Sequence, residues 1–349
     1  MRKRWIVPIA ASAAGIGAAA GVGAGVAATL LLRRRVSQLA GSVVLITGGS
    51  RGLGIALARE FARQGCRLAL CARDAAELNA ARQDLESRGA EAFTVECDVG
   101  DRAQVERLVE RVRGHYGRVD ILVNNAGEIR VGPLEAMELE DFEKAMRVMF
   151  WGAVYPTLAL LPHFRSRGSG RIVNITSIGG KLAVPHLLPY TCAKFAAVGF
   201  SEGLRAELKD TGVRVVTIVP GLMRTGSHLN AEFKGEHDRE AAWFSLGATL
   251  PGVSMSAERA ARQIVAAARR GRAEKILTAQ ANLLARFHGL FPGLTSELLG
   301  LMDHWLLPSG ESTATRRGSE TGVMRSPAMS AATVLGRRAA RRFLQPQAT

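Results

Sequence analysis

The chain has 349 residues, of which 47% are apolar, and it carries a formal net charge of +15. This length and composition supply enough apolar side chains for a full hydrophobic core. The cysteines show no paired or metal-ligand spacing, which predicts buried thiols in a reducing compartment and argues against a disulfide scaffold or a metal site; they are Cys66, Cys71, Cys97 and Cys192.

The positive charge is concentrated at the two ends of the chain. Residues 1–40 hold six basic and no acidic side chains, residues 310–349 hold seven basic and two acidic ones, and together they supply 11 of the 15 charges. The rest is spread without a basic stripe, which argues against a nucleic-acid partner. Basic ends beside an apolar segment favour contact with anionic lipid headgroups.

The first predicted element is an apolar segment, residues 5–32, which contains no charged side chain. As a helix it would be about 42 Å long, and a bilayer needs only ~20 residues. We therefore expect residues 1–40 to form a single-pass membrane anchor. The abundance of Ala and Gly leaves a disordered segment, a cleaved signal or a transit peptide as alternatives. Arginines flank the segment on both sides, so charge does not decide its orientation.

Strand-like apolar segments then alternate with helical patterns, which predicts a doubly wound α/β domain with a parallel sheet over residues 41–280. Seven strands are expected, at residues 43–47, 67–72, 92–99, 119–124, 170–176, 213–219 and 275–278. Helices are expected at residues 53–64, 75–88, 102–115, 140–165, 190–209 and 257–270.

A glycine-rich turn joins the first strand to the first helix. Glycine lets the backbone approach a pyrophosphate closely, and a helix N-terminus favours its negative charge. The position of the turn therefore predicts a dinucleotide site. Its residues are Thr47, Gly48, Gly49, Ser50, Arg51, Gly52, Leu53 and Gly54.

Ser177, Tyr190 and Lys194 carry the chemistry. Residues four apart on a helix share a face, so Lys194 should project toward the same pocket as Tyr190. A phenol normally titrates near ~10, and a nearby ammonium lowers that pKa toward the range useful for acid–base catalysis. Ser177 would hydrogen-bond a substrate carbonyl or alcohol. Together with the glycine turn, this set indicates hydride transfer on a nicotinamide cofactor.

The order of these motifs resembles that of the short-chain dehydrogenases/reductases over residues 41–280. The glycine turn is similar to the TGxxxGxG turn of that family, residues 124–127 to its NNAG strand end, and residues 220–225 to its PGxxxT segment. The resemblance implies a seven-stranded, Rossmann-like fold. It also implies that Tyr190 is the general acid or base, that Lys194 lowers its pKa and holds the nicotinamide ribose, and that Ser177 orients the substrate.

The resemblance further implies which residues hold the cofactor. Asp98 and Val99 match the pair on the adenine side, and Thr225 lies beside the nicotinamide. The complete implied set is Thr47, Gly48, Ser50, Arg51, Gly52, Leu53, Gly54, Arg73, Asp98, Val99, Asn125, Ala126, Gly127, Tyr190, Lys194, Pro220, Gly221 and Thr225.

Charge at the end of the second strand predicts the choice of nucleotide. An acidic residue there would bind the 2′-hydroxyl of NAD, but by resemblance that position is Ala72, followed by Arg73. Arg73 and Arg51 together suit a 2′-phosphate, which predicts NADP. In the alternative, Arg73 is an ordinary surface residue and Asp74 a helix N-cap. NADP is a cytosolic solute, so we expect the domain to face the cytosol.

One position departs from the family pattern. The family usually has an asparagine three residues before Gly152, where it anchors a water of the proton relay, and this chain has Met149. A thioether is a weak acceptor. Two interpretations stay open: a working enzyme in which Tyr190 exchanges protons by another path, or a catalytically weak, cofactor-binding membrane protein that acts as a redox sensor or scaffold.

The last third of the chain predicts the substrate and the surroundings of the domain. By resemblance, residues 222–254 are a mobile lid over the substrate. Both this lid and residues 178–188 are apolar, which favours a sterol-, retinoid- or lipid-like carbonyl or alcohol.

Residues 281–308 form an apolar helical extension that either lies in the membrane interface or packs on the lid or a partner subunit. Residues 309–349 are expected to be a disordered basic tail, with residues 334–344 as a candidate basic surface helix. The resemblance implies a homodimer formed through helices 140–165 and 190–209.

Overall fold

The computed structural model describes residues 39–345. The expected membrane helix therefore lies outside the described residues. Among the helices of residues 39–345, none is long and apolar enough to cross a bilayer.

A parallel sheet of seven strands forms the centre of the domain, in the order β3-β2-β1-β4-β5-β6-β7. Each strand pairs with its neighbours in parallel register. The doubly wound fold predicted from the sequence is confirmed. The strands are β1 (Val43–Thr47), β2 (Arg67–Ala72), β3 (Ala92–Glu96), β4 (Ile121–Asn124), β5 (Gly170–Ile175), β6 (Val213–Val219) and β7 (Glu274–Ile276).

Helices cover both faces of the sheet. The helices are α1 (Gly52–Arg63), α2 (Ala75–Glu86), α3 (Arg102–Tyr116), α4 (Leu139–Met146), α5 (Gly152–Ser166), α6 (Leu188–Glu207), α7 (His237–Thr249), α8 (Ala257–Arg270), α9 (Ala279–Leu290), α10 (Pro292–Leu306), α11 (Pro327–Ala332) and α12 (Val334–Arg342). Short strands at Arg130–Val131, Met223–Arg224, Glu232–Phe233, Met255–Ser256 and Arg316–Arg317 form two small additional sheets.

Strand β1 shows how the sequence builds the two layers. All five of its side chains are buried, as expected for a parallel strand covered on both faces. Val44 and Ile46 pack into the core beneath α1, α2 and α8, whereas Val43 and Leu45 pack into the core beneath α3 and α5. This alternation follows from the two-residue period of a strand.

The predicted helix at residues 140–165 is interrupted in the structure. Helix α4 ends at Met146, a π-helical turn occupies Arg147–Trp151, and α5 begins at Gly152. A Cβ atom on Gly152 would meet Val99 Cγ2 at 2.7 Å, so the chain passes close to the end of β3 here. The bulge places Met149 in the interior.

Two further sequence-based predictions are wrong. The tail is folded through residue 345 rather than disordered, because it buries apolar side chains of its own: Ala340 and Phe343 are at most 1% exposed. Cys192 is exposed on α6, while the other three cysteines are buried thiols.

The extension forms two helices, α9 and α10. Their apolar side chains face outward to an unusual degree: Leu283, Leu290, Trp305 and Leu306 are each at least 70% exposed. Single exposed leucines are common on protein surfaces, but here four large apolar side chains are exposed on two consecutive helices.

Candidate active site

The glycine turn is fixed against the end of β4 by a set of short contacts. Thr47 Oγ1 accepts from the Asn125 and Ala126 amides at 3.0 and 3.1 Å. The Asn125 side-chain amide donates to the main-chain carbonyls of Thr47 and Gly48, both at 3.0 Å. The turn and the NNAG segment therefore form one unit at the carboxyl edge of the sheet.

Glycine is required at two positions of this turn. Gly48 has a φ of +60°, and a Cβ atom there would meet Ala126 Cα at 2.9 Å. Gly52 has a φ of +58° and is the first residue of α1. The left-handed region favours glycine, and the backbone N–H groups at the start of α1 suit an anion. The residues present therefore fit the pyrophosphate of a dinucleotide.

The two arginines expected to face a 2′-phosphate have different partners. Arg51 forms a 2.6 Å ion pair with Glu77, and Ser50 Oγ donates to the same carboxylate at 3.0 Å. Arg73 is exposed and makes no ion pair with any residue of the described range. Asp74 caps α2 by accepting from the Glu77 amide at 2.9 Å. Arg51 is therefore held by Glu77, whereas Arg73 forms no ion pair among the described residues, and its charge opposes the rise that burial causes in the pKa of Glu128.

The adenine-side pair follows β3. Asp98 Oδ1 accepts from the Gly100 amide at 2.9 Å, and the Asp98 amide donates to Gln104 Oε1 at 3.0 Å. Val99 is buried against Gly152. Both residues are fixed by local contacts at the same edge of the sheet as the glycine turn.

The structure brings Ser177, Tyr190 and Lys194 together at the carboxyl end of β5. Ser177 is the second residue past the strand end, and its Oγ accepts from the Gly179 amide at 3.0 Å. Its hydroxyl lies close enough to the Tyr190 phenol, in the first turn of α6, to lower the pKa of that phenol. Lys194 Nζ donates to the Ile175 carbonyl at 3.0 Å and lies 5.7 Å from the centroid of the Tyr190 ring.

Burial is the largest influence on the pKa values of Tyr190 and Lys194. Burial raises the pKa of Tyr190, and the hydrogen bond from Ser177 opposes that shift. Burial lowers the pKa of Lys194 to about 8. Desolvation disfavours the charged form of both side chains, the phenolate of Tyr190 and the ammonium of Lys194.

Met149 lies beside the catalytic cluster. It is 3% exposed and packs with Ala145, Ala193 and the Tyr190 ring. The side chain therefore fills space next to the tyrosine with apolar atoms.

A chain of four buried, hydrogen-bonded polar side chains lies beneath the site. Of these, only Asn124 belongs to a motif that was recognised in the sequence. Asn124 Nδ2 donates to Asn174 Oδ1 at 2.8 Å, Asn174 Nδ2 donates to Ser201 Oγ at 2.9 Å, and Ser201 Oγ lies 2.7 Å from Thr217 Oγ1. These four side chains join β4, β5, β6 and α6. Because each is at most 5% exposed, the chain fixes the strands that end at the active site.

The segment at residues 220–225 completes the site. The Pro220 carbonyl accepts from the Ile178 amide at 2.8 Å, which ties it to the loop after Ser177. Gly221 lies against Thr278, since a Cβ atom there would meet Thr278 Oγ1 at 2.9 Å. Thr225 is buried.

The expected lid contains a helix, α7, rather than an irregular segment. His186 Nδ1 lies 2.7 Å from Glu240 Oε1, and its Nε2 lies 3.1 Å from Asp303 Oδ1. Trp243 also donates to Glu240, at 2.7 Å. One histidine thus connects the loop at residues 178–188 to α7 and α10.

Sequence comparison identifies the family. The profile of the short chain dehydrogenases matches residues 42–234. A dehydrogenase/reductase SDR family protein 7-like from Drosophila melanogaster is 38% identical over 199 residues, which are 56% of this chain and 61% of that protein. Rattus norvegicus 17-beta-hydroxysteroid dehydrogenase 13 is 36% identical over 198 residues, 55% of this chain and 65% of that protein. The chain thus spans less than two thirds of the length of either relative.

The fold comparison agrees. A gluconate 5-dehydrogenase from Burkholderia cenocepacia, solved with NADP and tartrate, superposes with a TM-score of 0.62 at 26% identity, over 71% of this chain and 98% of that one. The chain belongs to the short-chain dehydrogenase/reductase family.

Proposed function

We propose that the protein is an NADP-preferring oxidoreductase that interconverts an apolar ketone or aldehyde with the corresponding alcohol. The observation that carries this proposal is the convergence of Ser177, Tyr190 and Lys194 beside a glycine turn that fits a pyrophosphate. The bound nicotinamide supplies or accepts the hydride.

Tyr190 is the proposed proton donor and acceptor at the substrate oxygen. In the direction of reduction, the phenol gives its proton to the oxygen as the carbonyl carbon receives the hydride. Burial raises the pKa of Tyr190, so the protonated phenol is the resting form at neutral pH. The Ser177 hydroxyl lies beside the phenol, where it would bond the same substrate oxygen.

The NADP preference is supported by Arg73. Its exposed guanidinium follows the end of β2, where a 2′-phosphate would need a bidentate partner. Arg51 contributes less than the sequence implied, because Glu77 already pairs with it.

An apolar, membrane-derived substrate is supported by the surface of α9 and α10. Its exposed leucines and Trp305 suit the apolar side of a lipid interface, and one relative is named a hydroxysteroid dehydrogenase. We therefore propose a sterol-, retinoid- or lipid-like substrate. Residues 5–32 would anchor the chain by a single span, with the catalytic domain in the cytosol, where NADPH is supplied.

A homodimer is proposed through α5 and α6. Trp151 and Leu158 on α5 and its preceding turn, and Phe195 on α6, are exposed by 43%, 54% and 42%. Aromatic side chains of this kind are enriched in protein interfaces. The helices involved are those that the family resemblance implies.

A catalytically weak, cofactor-binding membrane protein is the second candidate. It is favoured by the apolar packing of Met149 against Tyr190. NADPH oxidation with a panel of apolar ketones separates the two functions. Turnover well above that of a Tyr190→Phe control supports the enzyme, and turnover equal to that control supports the weak binder.

A further inference from the structure

Residues 343–345, here called the C-terminal segment, lie directly on the glycine turn. The Gly52 N–H donates to the Phe343 carbonyl at 2.8 Å. The Gln345 side chain donates to the Thr225 carbonyl at 3.2 Å, and a Cβ atom on Gly52 would meet Gln345 Nε2 at 2.9 Å. The segment thus contacts both the glycine turn and the segment at residues 220–225, the two motifs that a dinucleotide would bridge.

Buried contacts hold this segment in place. Phe343 is 1% exposed, and the Arg59 guanidinium lies 5.6 Å from the centroid of its ring. Arg59 also donates to the Arg342 carbonyl at 2.8 Å. Gln345 Oε1 accepts from Asn230 Nδ2 at 2.7 Å. These contacts join the segment to α1 and to the loop that precedes α7.

The contact between Phe343 and Gly52 occupies a backbone N–H group that a bound anion would need. Gly52 is the first residue of α1, and its N–H is among the donors that a helix N-terminus offers to a phosphate. The Phe343 carbonyl and a phosphate oxygen cannot both take this position. Leu344 has a φ of +55°, a conformation that leucine rarely adopts, so release of the segment would also relieve backbone strain.

We propose that the C-terminal segment is an intramolecular competitor of the dinucleotide, which binds only when the segment leaves the glycine turn. The inference rests on the proposed function, because it places the pyrophosphate at Gly52. The apparent Kd of the cofactor then equals the intrinsic Kd divided by the fraction of molecules in which the segment has left the glycine turn. A segment that instead closes over bound cofactor would have the opposite effect.

Binding of NADPH and NADH to the full-length protein tests this proposal. Gln345→Ala removes the side-chain bonds to Thr225 and Asn230 and should tighten both nucleotides about three- to tenfold. A chain that ends at Leu344 should do the same. Gln83→Ala makes the same chemical change on the exposed side of α2 and should leave the Kd unchanged. An unchanged or weaker affinity in both tail variants overturns the proposal.

Hydrogen exchange of the unmodified protein gives a second readout that does not depend on a variant. The Phe343 and Gln345 amides donate to the Ala339 and Ala340 carbonyls at 2.8 and 2.9 Å. Saturating NADPH should speed their exchange, and slower or unchanged exchange overturns displacement. If neither nucleotide binds any variant, the proposed function fails as well. Tight binding that is equal in all variants overturns only the competition.

Discussion

Lys194 Nζ donates to the Ile175 carbonyl at 3.0 Å, at the last residue of β5. Strand β5 thus positions the lysine directly, one turn of helix from Tyr190. The ammonium is held beside the phenol ring but is bonded to the main chain. Its contribution to the site is consequently sensitive to pH in a way that the sequence pattern did not predict.

Stability should rise with pH through the titration of Lys194. Burial lowers its pKa in the folded state from 10.5 to about 8, so between these values the unfolded chain binds more protons and deprotonation favours folding. The full difference corresponds to about 3 kcal/mol. Unfolding free energies measured from pH 7 to pH 10.5 should show this rise in the wild type.

Lys194→Met removes the titrating group and should remove the corresponding part of that rise. The exposed Lys209→Met is its matched control and should keep the wild-type slope. A Lys194→Met protein with the same slope as the wild type would show that the lysine is not the group responsible.

The polar chain beneath the site should be costly to interrupt. Asn124→Leu leaves the Asn174 carbonyl oxygen without its 2.8 Å donor, and a buried polar group without its partner costs about 1–3 kcal/mol. Chemical denaturation should show a loss of this order. Asn79→Leu on the exposed side of α2 provides the comparison. Equal stability of the two variants would mean that the buried chain does not hold the strands.

Met149→Asn tests whether the departure from the family pattern limits the reaction. The new amide would lie among Ala145, Ala193 and Tyr190, so we expect a loss of about 1–3 kcal/mol in stability and no increase in kcat. Met149→Leu preserves the apolar contact and should be nearly neutral in both measurements. A strong increase in kcat for Met149→Asn would instead support the catalytically weak second candidate.

Arg73→Ala tests the nucleotide preference. Removal of the Arg73 guanidinium should reduce the ratio of kcat/KM for NADPH to that for NADH by about tenfold or more, since charge-assisted bonds contribute about 1.5–3 kcal/mol. Arg82→Ala, on the exposed side of α2, should leave the ratio unchanged. A preference for NADPH that survives Arg73→Ala would refute the assignment of Arg73.

The sheet could be predicted closely because its signals are local. β1, β2 and β6 begin and end where the apolar segments do. The glycine turn was predictable too, because the glycines themselves mark the positions with a positive φ. The π-helical turn at Arg147–Trp151 could not be predicted, since it depends on the close approach of Gly152 to Val99. The catalytic residues followed from spacing, whereas their pKa shifts follow from burial.

Helix α12 (Val334–Arg342) lies where the sequence offered a basic surface helix, but the packing of the C-terminal region on the domain was not predicted. Its composition is polar and basic, and residues 309–345 contain few large apolar side chains. Phe343 nevertheless becomes buried against α1, more than 280 positions away in sequence, as the Arg59 contact with Arg342 shows. Pairing over such a distance has no periodic signature in a single sequence.

Transfer of deuterium tests the central claim most directly. The protein would be incubated with NADPH deuterated at the transferable position of the nicotinamide and with an apolar ketone, and the alcohol product analysed by mass spectrometry. We predict one deuterium on the carbinol carbon with the wild type and at least a hundredfold slower incorporation with Tyr190→Phe. Incorporation at the same rate in Tyr190→Phe, or none with the wild type for any ketone or aldehyde offered, would contradict the account.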